Sequence, residues 1–536
     1  MAFINITTNN LSRDLISSPT FVDNWVYVPG ATITGDWSRP VPLRSLDEFK
    51  KQFGTYSPDG SYTYEYVSGL LSAGLPVIFQ RIACKGQAEI KWVNGAPVIP
   101  SDTPRAECAK YIYSHQVGDI SEGSTVQDIK VSEKWGGTYG DKMTVCIRTS
   151  NNVYWMDVKY NGAILEKTKI IAFSGNETPI EKKRKFIDAL NKLEMERVTI
   201  EVLCPIKEET SEYDYDAFVI PSDDKDKALS GGTDFDDDLV KDEIPLMYTL
   251  IEDKVLYQPK FITSGGYTDN SSSSAIGDAM KNLTLIRQDC RAIIDLPLGS
   301  LRENYQADAD KYGYSQLASS TAIPSASMFG PWMYMQLGNN QVWMPPSFVY
   351  LTVVGSAVSK GEKAYTPKAG LISGRVLNII KPEFEIGSDI CSLWQADGKL
   401  QINPIMRLQS NEFVIAGNST LLRTDGEEIN AFTESSADLA IIEIRRFIYN
   451  LATELQYQYN NANAFEKFSL RTANYFEGMV KQGAISDYAI ANISTDDDPR
   501  TLKIKVDVLV TPTIKAIEIY LNVAYGSVEL NAGGEV

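Results

Sequence analysis

Serine-type hydrolysis needs an imidazole beside an activated nucleophile, and this chain contains one histidine, His115, in Tyr113-Ser114-His115-Gln116. No G-x-S-x-G turn accompanies it, so it reads as a solvated loop histidine. A phosphate-cradling G-x-x-x-x-G-K-[ST] loop is absent. Asp234-Phe235-Asp236-Asp237-Asp238 offers oxygen ligands of the kind that suit Ca²⁺ or Mg²⁺. Adjacent carboxylates alternate in direction, however, and the EF-hand spacing with its closing Glu is missing, so the run reads as a solvated loop. Asp295, before Leu296-Pro297, stands either as an acid at a strand end or as a cap for the turn, and capping is the simpler use. The six cysteines, Cys84, Cys108, Cys146, Cys204, Cys290 and Cys391, include no C-x-x-C pair. They are expected to be free thiols rather than zinc ligands. No catalytic set, metal site or cofactor emerges. An α/β enzyme remains only the rival class.

These residues must be carried by a chain of 536 residues, too long for one compact core. It is 43% hydrophobic and 22% charged, and its formal net charge is −18. That balance argues against a general nucleic-acid surface, which needs clustered Lys and Arg. The aromatics are not interleaved with basic residues as base-stacking platforms require. The opening residues lack a basic segment followed by an apolar run, so no secretory leader is expected. The longest apolar run, Phe348 to Val358, is about half of what a bilayer needs, so no membrane insertion is expected.

Periodicity places the elements. Ser45-Leu46-Asp47-Glu48-Phe49 opens a helix with a capping box and closes at Gly54. A helix near Tyr64 to Ala73 and a strand from Pro76 to Ala83 follow. Strands at Thr144–Arg148, Tyr154–Tyr160 and Val198–Val202 surround a helix over 180–193, and Glu208 to Asp226 reads as an acidic exposed loop. Phe261-Ile262-Thr263, a helix over 275–286 and the strand Arg291 to Asp295 alternate in the manner of a partly parallel sheet. Val349 to Val354 reads as a buried strand. Ile441, Ile444, Ile448, Leu451 and Leu455 recur at steps of three and four on one helix, which begins at Ser435. A second helix is expected over 465–482, ending at Gly483. Leu502 to Val510 then alternates with period two. After Pro512, Ile517, Ile519, Leu521 and Val523 alternate again; this strand either closes a hairpin of its own domain or leaves as an arm. Residues 1–20 are polar apart from pairs such as Phe3-Ile4, and form a disordered tail or an arm that orders on a partner.

Taken in order, Ser45, Glu48, Phe49, Phe53, Gly54, Gly74 and Arg81, then Trp135-Gly136-Gly137-Thr138-Tyr139-Gly140-Asp141, Leu229-Ser230-Gly231-Gly232-Thr233-Asp234, Ala292-Ile293-Ile294-Asp295-Leu296-Pro297, Gly330-Pro331-Trp332, Met344-Pro345-Pro346-Ser347 and Pro367-Lys368-Ala369-Gly370 form a collinear series. The series resembles the contractile-tail sheath proteins of bacteriophages, related to the sheaths of contractile injection systems. Gly140-Asp141 departs from the family's usual Gly-Asn. The poorest match is about 150–228.

The resemblance implies a multidomain α/β (α+β mixed) fold. It has a sheath core with a partly parallel sheet, an inserted β-rich outer lobe, and extended N- and C-terminal arms. The implied divisions are an arm at 1–20, core at 21–95, lobe at 96–228, core again at 229–420, a tube-facing C-terminal domain at 421–512, and a linker strand and tail at 513–536. It implies a structural, non-enzymatic subunit polymerising as stacked hexameric rings around a tail tube. Contraction would drive the tube through the host envelope for genome ejection, or for injection by a phage-derived device or bacteriocin. The implied partners are further copies of the chain, the tail tube protein, and baseplate and tail terminator proteins, with no nucleic acid. The implied location is the virion tail, with assembly in the host cytoplasm. Phe3, Ile4, Ile6, Ile517, Ile519, Leu521 and Val523 become candidate inter-subunit arm contacts. Arg445 and Arg446 become tube-facing candidates, since Arg pairs well with carboxylates; the alternative is an internal pair with Glu443 or Glu454. Deleting residues 1–20 is expected to leave a folded monomer that assembles poorly. Denaturation and sedimentation check this: normal-length polymers from the truncated chain would remove the arm role.

Overall fold

The structure, a computed structural model, describes residues 24–57, 61–82, 91–93, 96–98, 110–117, 124–207, 213–221, 224–232, 237–269, 273–315, 323–394, 401–408, 412–423, 431–460, 462–494 and 501–513. Its centre is a mixed sheet of nine strands. From one edge the order is Arg375–Val376, Phe413–Ile415, Asn403–Arg407, Ala326–Gly330, Arg291–Ile294, Phe261–Ile262, Val26–Ala31, Val77–Ile82 and Val41–Leu43. Neighbours from Asn403–Arg407 across to Val77–Ile82 run parallel, and antiparallel strands close both edges.

A parallel sheet must be covered on both faces, so its strands lose the polar-apolar alternation of a half-wet sheet. Val26–Ala31 and Val77–Ile82 are buried at every residue. The period of two survives in which core each residue enters. Val26, Val28, Val77 and Phe79 join one core, and Tyr27, Ile78 and Ile82 join the other. The first core includes residues of the helices Leu46–Phe53, Thr63–Ser72, Pro346–Ser359 and Ser435–Leu455. The second includes residues of Asp237–Met247 and Ala275–Arg287. Ile485 and Val506 also belong to the first core, which therefore extends without a break into the C-terminal helices and hairpin.

The capping box is present as read: Ser45 Oγ accepts from the Glu48 amide at 3.2 Å, and Glu48 Oε2 accepts from the Ser45 amide at 3.3 Å. Val349 to Val354, read as a strand, instead lies in the helix Pro346–Ser359. That helix is buried nearly all round, which erases the 3.6-residue period, and its β-branched residues imitate a strand. The true signal is Pro346 in the first turn, where a missing N–H costs nothing.

Between Lys110 and Ala228 the described residues build a separate β-rich lobe. One of its sheets orders Ala163–Ala172, Val153–Tyr160, Met143–Ser150 and Lys227–Ala228; the other orders Val198–Val202, Ser124–Glu133 and Lys110–Val117. The helix Pro179–Leu190 packs Phe186, Ile187 and Leu190 into the lobe's core. Asp226, at the end of the expected exposed loop, is exposed as read and also pairs within the lobe. It accepts from Lys159 Nζ at 2.7 Å at both carboxylate oxygens, and Lys159 is buried.

Arg81 fastens lobe to core. Its buried guanidinium donates to the carbonyls of Thr32 and Gly35 in the core, and of Trp135 and Gly136 in the lobe, at 2.7–3.1 Å. Beside it Glu133 accepts from Thr34 Oγ1 at 2.9 Å and from the Gly136 amide at 2.6 Å. Burial pushes the Glu133 carboxyl up, against the pull of Arg81. The glycine motifs meet at this seam. A Cβ on Gly137 would lie 2.3 Å from the Ile33 carbonyl oxygen, and one on Gly232 would lie 2.3 Å from that of Gly137. Arg81→Met should strand these carbonyls and leave Glu133 without its cation. The expected loss is about 3–5 kcal/mol in urea denaturation, with the lobe released early in limited proteolysis.

Candidate functional site

The residues with chemical potential are occupied structurally. Asp295 ends its strand and caps the helix Pro346–Ser359, accepting from the Ser347 amide at 2.8 Å and from Ser347 Oγ at 2.5 Å. Ser347 in turn shares a hydrogen bond with Tyr66 Oη at 2.9 Å. Burial pushes the Asp295 carboxyl up to about 7, against the two Ser347 hydrogen bonds. His115, expected in a loop, belongs to the strand Lys110–Val117, its backbone opposite Val126. Of the acidic run, Asp237 and Asp238 open the helix Asp237–Met247, while Asp234 and Asp236 fall outside the described residues. Among the described residues no group of three or more His, Cys, Asp or Glu side chains is placed to hold a metal ion. Cys146, Cys204, Cys290 and Cys391 are free thiols, and Cys84 and Cys108 are not among those described. No helix of the described residues is long and apolar enough to cross a membrane.

The dense polar chemistry gathers instead around the helix Ser435–Leu455, where both ends of the described chain are held. Lys260 Nζ donates to Glu443 Oε2 at 2.6 Å and to Asn24 Oδ1 at 2.7 Å. Lys260 is buried, which pushes its ammonium down while the Glu443 carboxylate holds it up. At the helix start, Glu434 Oε2 accepts from the Thr513 amide at 3.0 Å and from Thr513 Oγ1 at 2.9 Å. Asn418 Nδ2 donates to Ser436 Oγ at 2.7 Å and to Thr513 Oγ1 at 3.4 Å. Arg291 Nη1 donates to the Ser435 carbonyl at 2.5 Å, and Ser325 Oγ donates to the Asp438 carboxylate. The helix is thereby tied to the central sheet from one end to its middle.

Arg445 and Arg446 do not face outward. They are 1% and 6% exposed. Arg446 donates to the carbonyls of Gln258, Pro259 and Asp289 at 2.9–3.3 Å, so its guanidinium is spent inside the chain. Neither acidic partner considered for the pair takes Arg446: Glu443 pairs with Lys260, and Glu454 with Arg471. Phe3, Ile4, Ile6, Ile517, Ile519, Leu521 and Val523 lie outside the described residues.

Beyond the two long helices, Ile485–Asn492 and Ile504–Val510 form an antiparallel hairpin. Its apolar residues pack toward the helix Ala462–Lys481, with Tyr488 edge-on to Phe476 at 5.1 Å. Among the described residues no third strand joins this sheet.

No family profile and no curated protein matches the chain. Solved structures do. A sheath tail protein from Desulfitobacterium hafniense aligns with 95% of this chain and 99% of its own, at a TM-score of 0.53 and 12% identity. A sheath tail protein from Listeria innocua aligns with 92% and 96%, at 0.55 and 12%. The chain has the sheath tail fold. Within it, Arg81, Gly137, Gly232, Asp295 and Ser347 sit at close backbone approaches or caps of the sheath frame, which accounts for the motif series physically. The anchors Asn24, Lys260, Glu434, Glu443 and Thr513 were missed by sequence reasoning. Lys260 and Glu443 are 183 positions apart and share no local pattern.

Between about pH 4 and 7 the folded chain keeps a proton on Asp295 that the unfolded chain has lost, so this group's contribution to stability falls as pH rises through that window. Asp295→Asn imitates the protonated form. Urea denaturation at pH 5 and pH 8 should therefore show the variant gaining on the unsubstituted chain as pH rises. An unchanging difference would contradict the raised carboxyl.

Proposed function

We propose that this chain is the sheath subunit of a contractile tail. It polymerises with further copies as stacked hexameric rings around a tail tube, and shortening of that polymer drives the tube through the host envelope for genome ejection. The observation that carries the reading is the correspondence with sheath tail proteins along nearly the full length of both chains, lobe and C-terminal region included. The hairpin, which no third strand joins among the described residues, supports it, since an extended segment from another subunit can add there by backbone hydrogen bonds. In this reading residues 1–20 and 513–525 supply such segments, with Phe3, Ile4 and Ile6 at one end and Ile517, Ile519, Leu521 and Val523 at the other. The tail tube, baseplate and tail terminator are the remaining partners. The net charge of −18 suits a subunit that must stay soluble until assembly begins.

Electron microscopy of the purified protein tests the reading. Long striated or contracted cylinders are expected, and monodisperse small particles with turnover would point to an enzyme. Ile519→Asp should abolish tube-length polymers while leaving the monomer soluble and its melting nearly unchanged, because a buried charge destroys the shared apolar face. Unfolding of that variant would place the strand in its own domain; normal polymers would remove it from assembly.

A further inference from the structure

Past the hairpin strand Ile504–Val510 the Thr511 amide still donates to the Ala484 carbonyl at 3.2 Å, and after the exposed Pro512 the chain is caught again. Thr513 gives both its amide and its hydroxyl to one oxygen of Glu434, a side chain only 4% exposed, and Asn418 reaches the same hydroxyl. Glu434 is itself fixed: its backbone pairs with Ser419, and the Ser435 amide beside it donates to the Asn418 carbonyl at 2.8 Å. At the other terminus Asn24 is held by Lys260, and Lys260 by Glu443. Glu434 and Glu443 are nine residues apart on one helix, about 13 Å of rise. Asn24 through Lys260, and Thr513 through Glu434, are therefore both tied to one buried strut.

We propose that Glu434 is the positioning residue for the C-terminal segment, and that the helix Ser435–Leu455 is the common anchor through which both terminal segments are held. This rests on the sheath reading above and adds the residues that fix where the segments leave. A charge-assisted acceptor for two donors of one residue sets the direction of the chain at Thr513, not merely its attachment. A segment released at this point is last held at Thr511 instead, and its encounter with a neighbouring sheet edge loses orientation.

The test uses the full chain with Glu434→Ala, Glu434→Gln and Thr513→Val. Glu434→Ala should speed hydrogen exchange at the Thr513 amide and raise the concentration needed for polymerisation, each about tenfold, while the monomer's melting moves little. Glu434→Gln keeps an acceptor and should recover most of the loss. Thr513→Val removes only the hydroxyl bonds and should fall between, and it decides the matter if Glu434→Ala fails to fold. Faster exchange with unaltered polymerisation overturns the proposal. A failure of the sheath reading is distinct: the unsubstituted chain would then form no cylinders at all.

Discussion

A parallel sheet has no face to leave in water, because the crossovers that connect its strands must lie across it and its own backbone bonds leave both faces apolar. The strands from Val77–Ile82 to Asn403–Arg407 impose that constraint on the whole molecule. One face cannot be covered by local helices alone. It takes Pro346–Ser359 from late in the chain and Ser435–Leu455 from later still, so the C-terminal region is part of the central core rather than an appended domain. The region that carries the hairpin is thus rigidly referred to the sheet.

The second constraint is how buried cations are satisfied. Arg81, Arg287 and Arg446 spend most of their donors on loop carbonyls. A guanidinium presents a planar fork of donors and can collect carbonyls from segments far apart in sequence, which a point-charge ammonium does less well. Each of these arginines fastens loops that have no hydrogen-bonded ladder of their own. Lys260 is paired with a carboxylate, as Arg287 also is with Asp289, and it sits where the first described residues meet the long helix.

Local features were legible in the sequence and distant ones were not. The Ser45–Glu48 box, the strands flanking Asn151-Asn152 and the C-terminal helices declare themselves within a few residues, because caps and periods are local physics. Val349 to Val354 failed because complete burial removes the periodic contrast that separates helix from strand. Arg446 was offered as tube-facing by the resemblance, and a sequence does not say whether water or carbonyls receive a guanidinium; here carbonyls do. The acidic stretch ending at Asp226 was read by composition, although its last carboxylate holds a buried lysine of the lobe. Glu434 and Thr513 lie 79 positions apart, and nothing in either neighbourhood marks the other.

At the base of the lobe Lys110 and Ser230 exchange backbone hydrogen bonds of 2.9 and 3.1 Å. Topologically the lobe is a closed loop hung on a neck. A loop whose ends already meet can lengthen or shorten at little entropic cost, since closure entropy grows only with the logarithm of length. The frame is therefore indifferent to what the lobe contains, provided that the neck around Arg81 and its two glycine turns is kept. Such an arrangement permits the surface of the lobe to be re-dressed, in size or in charge, while the frame beneath it stays constant.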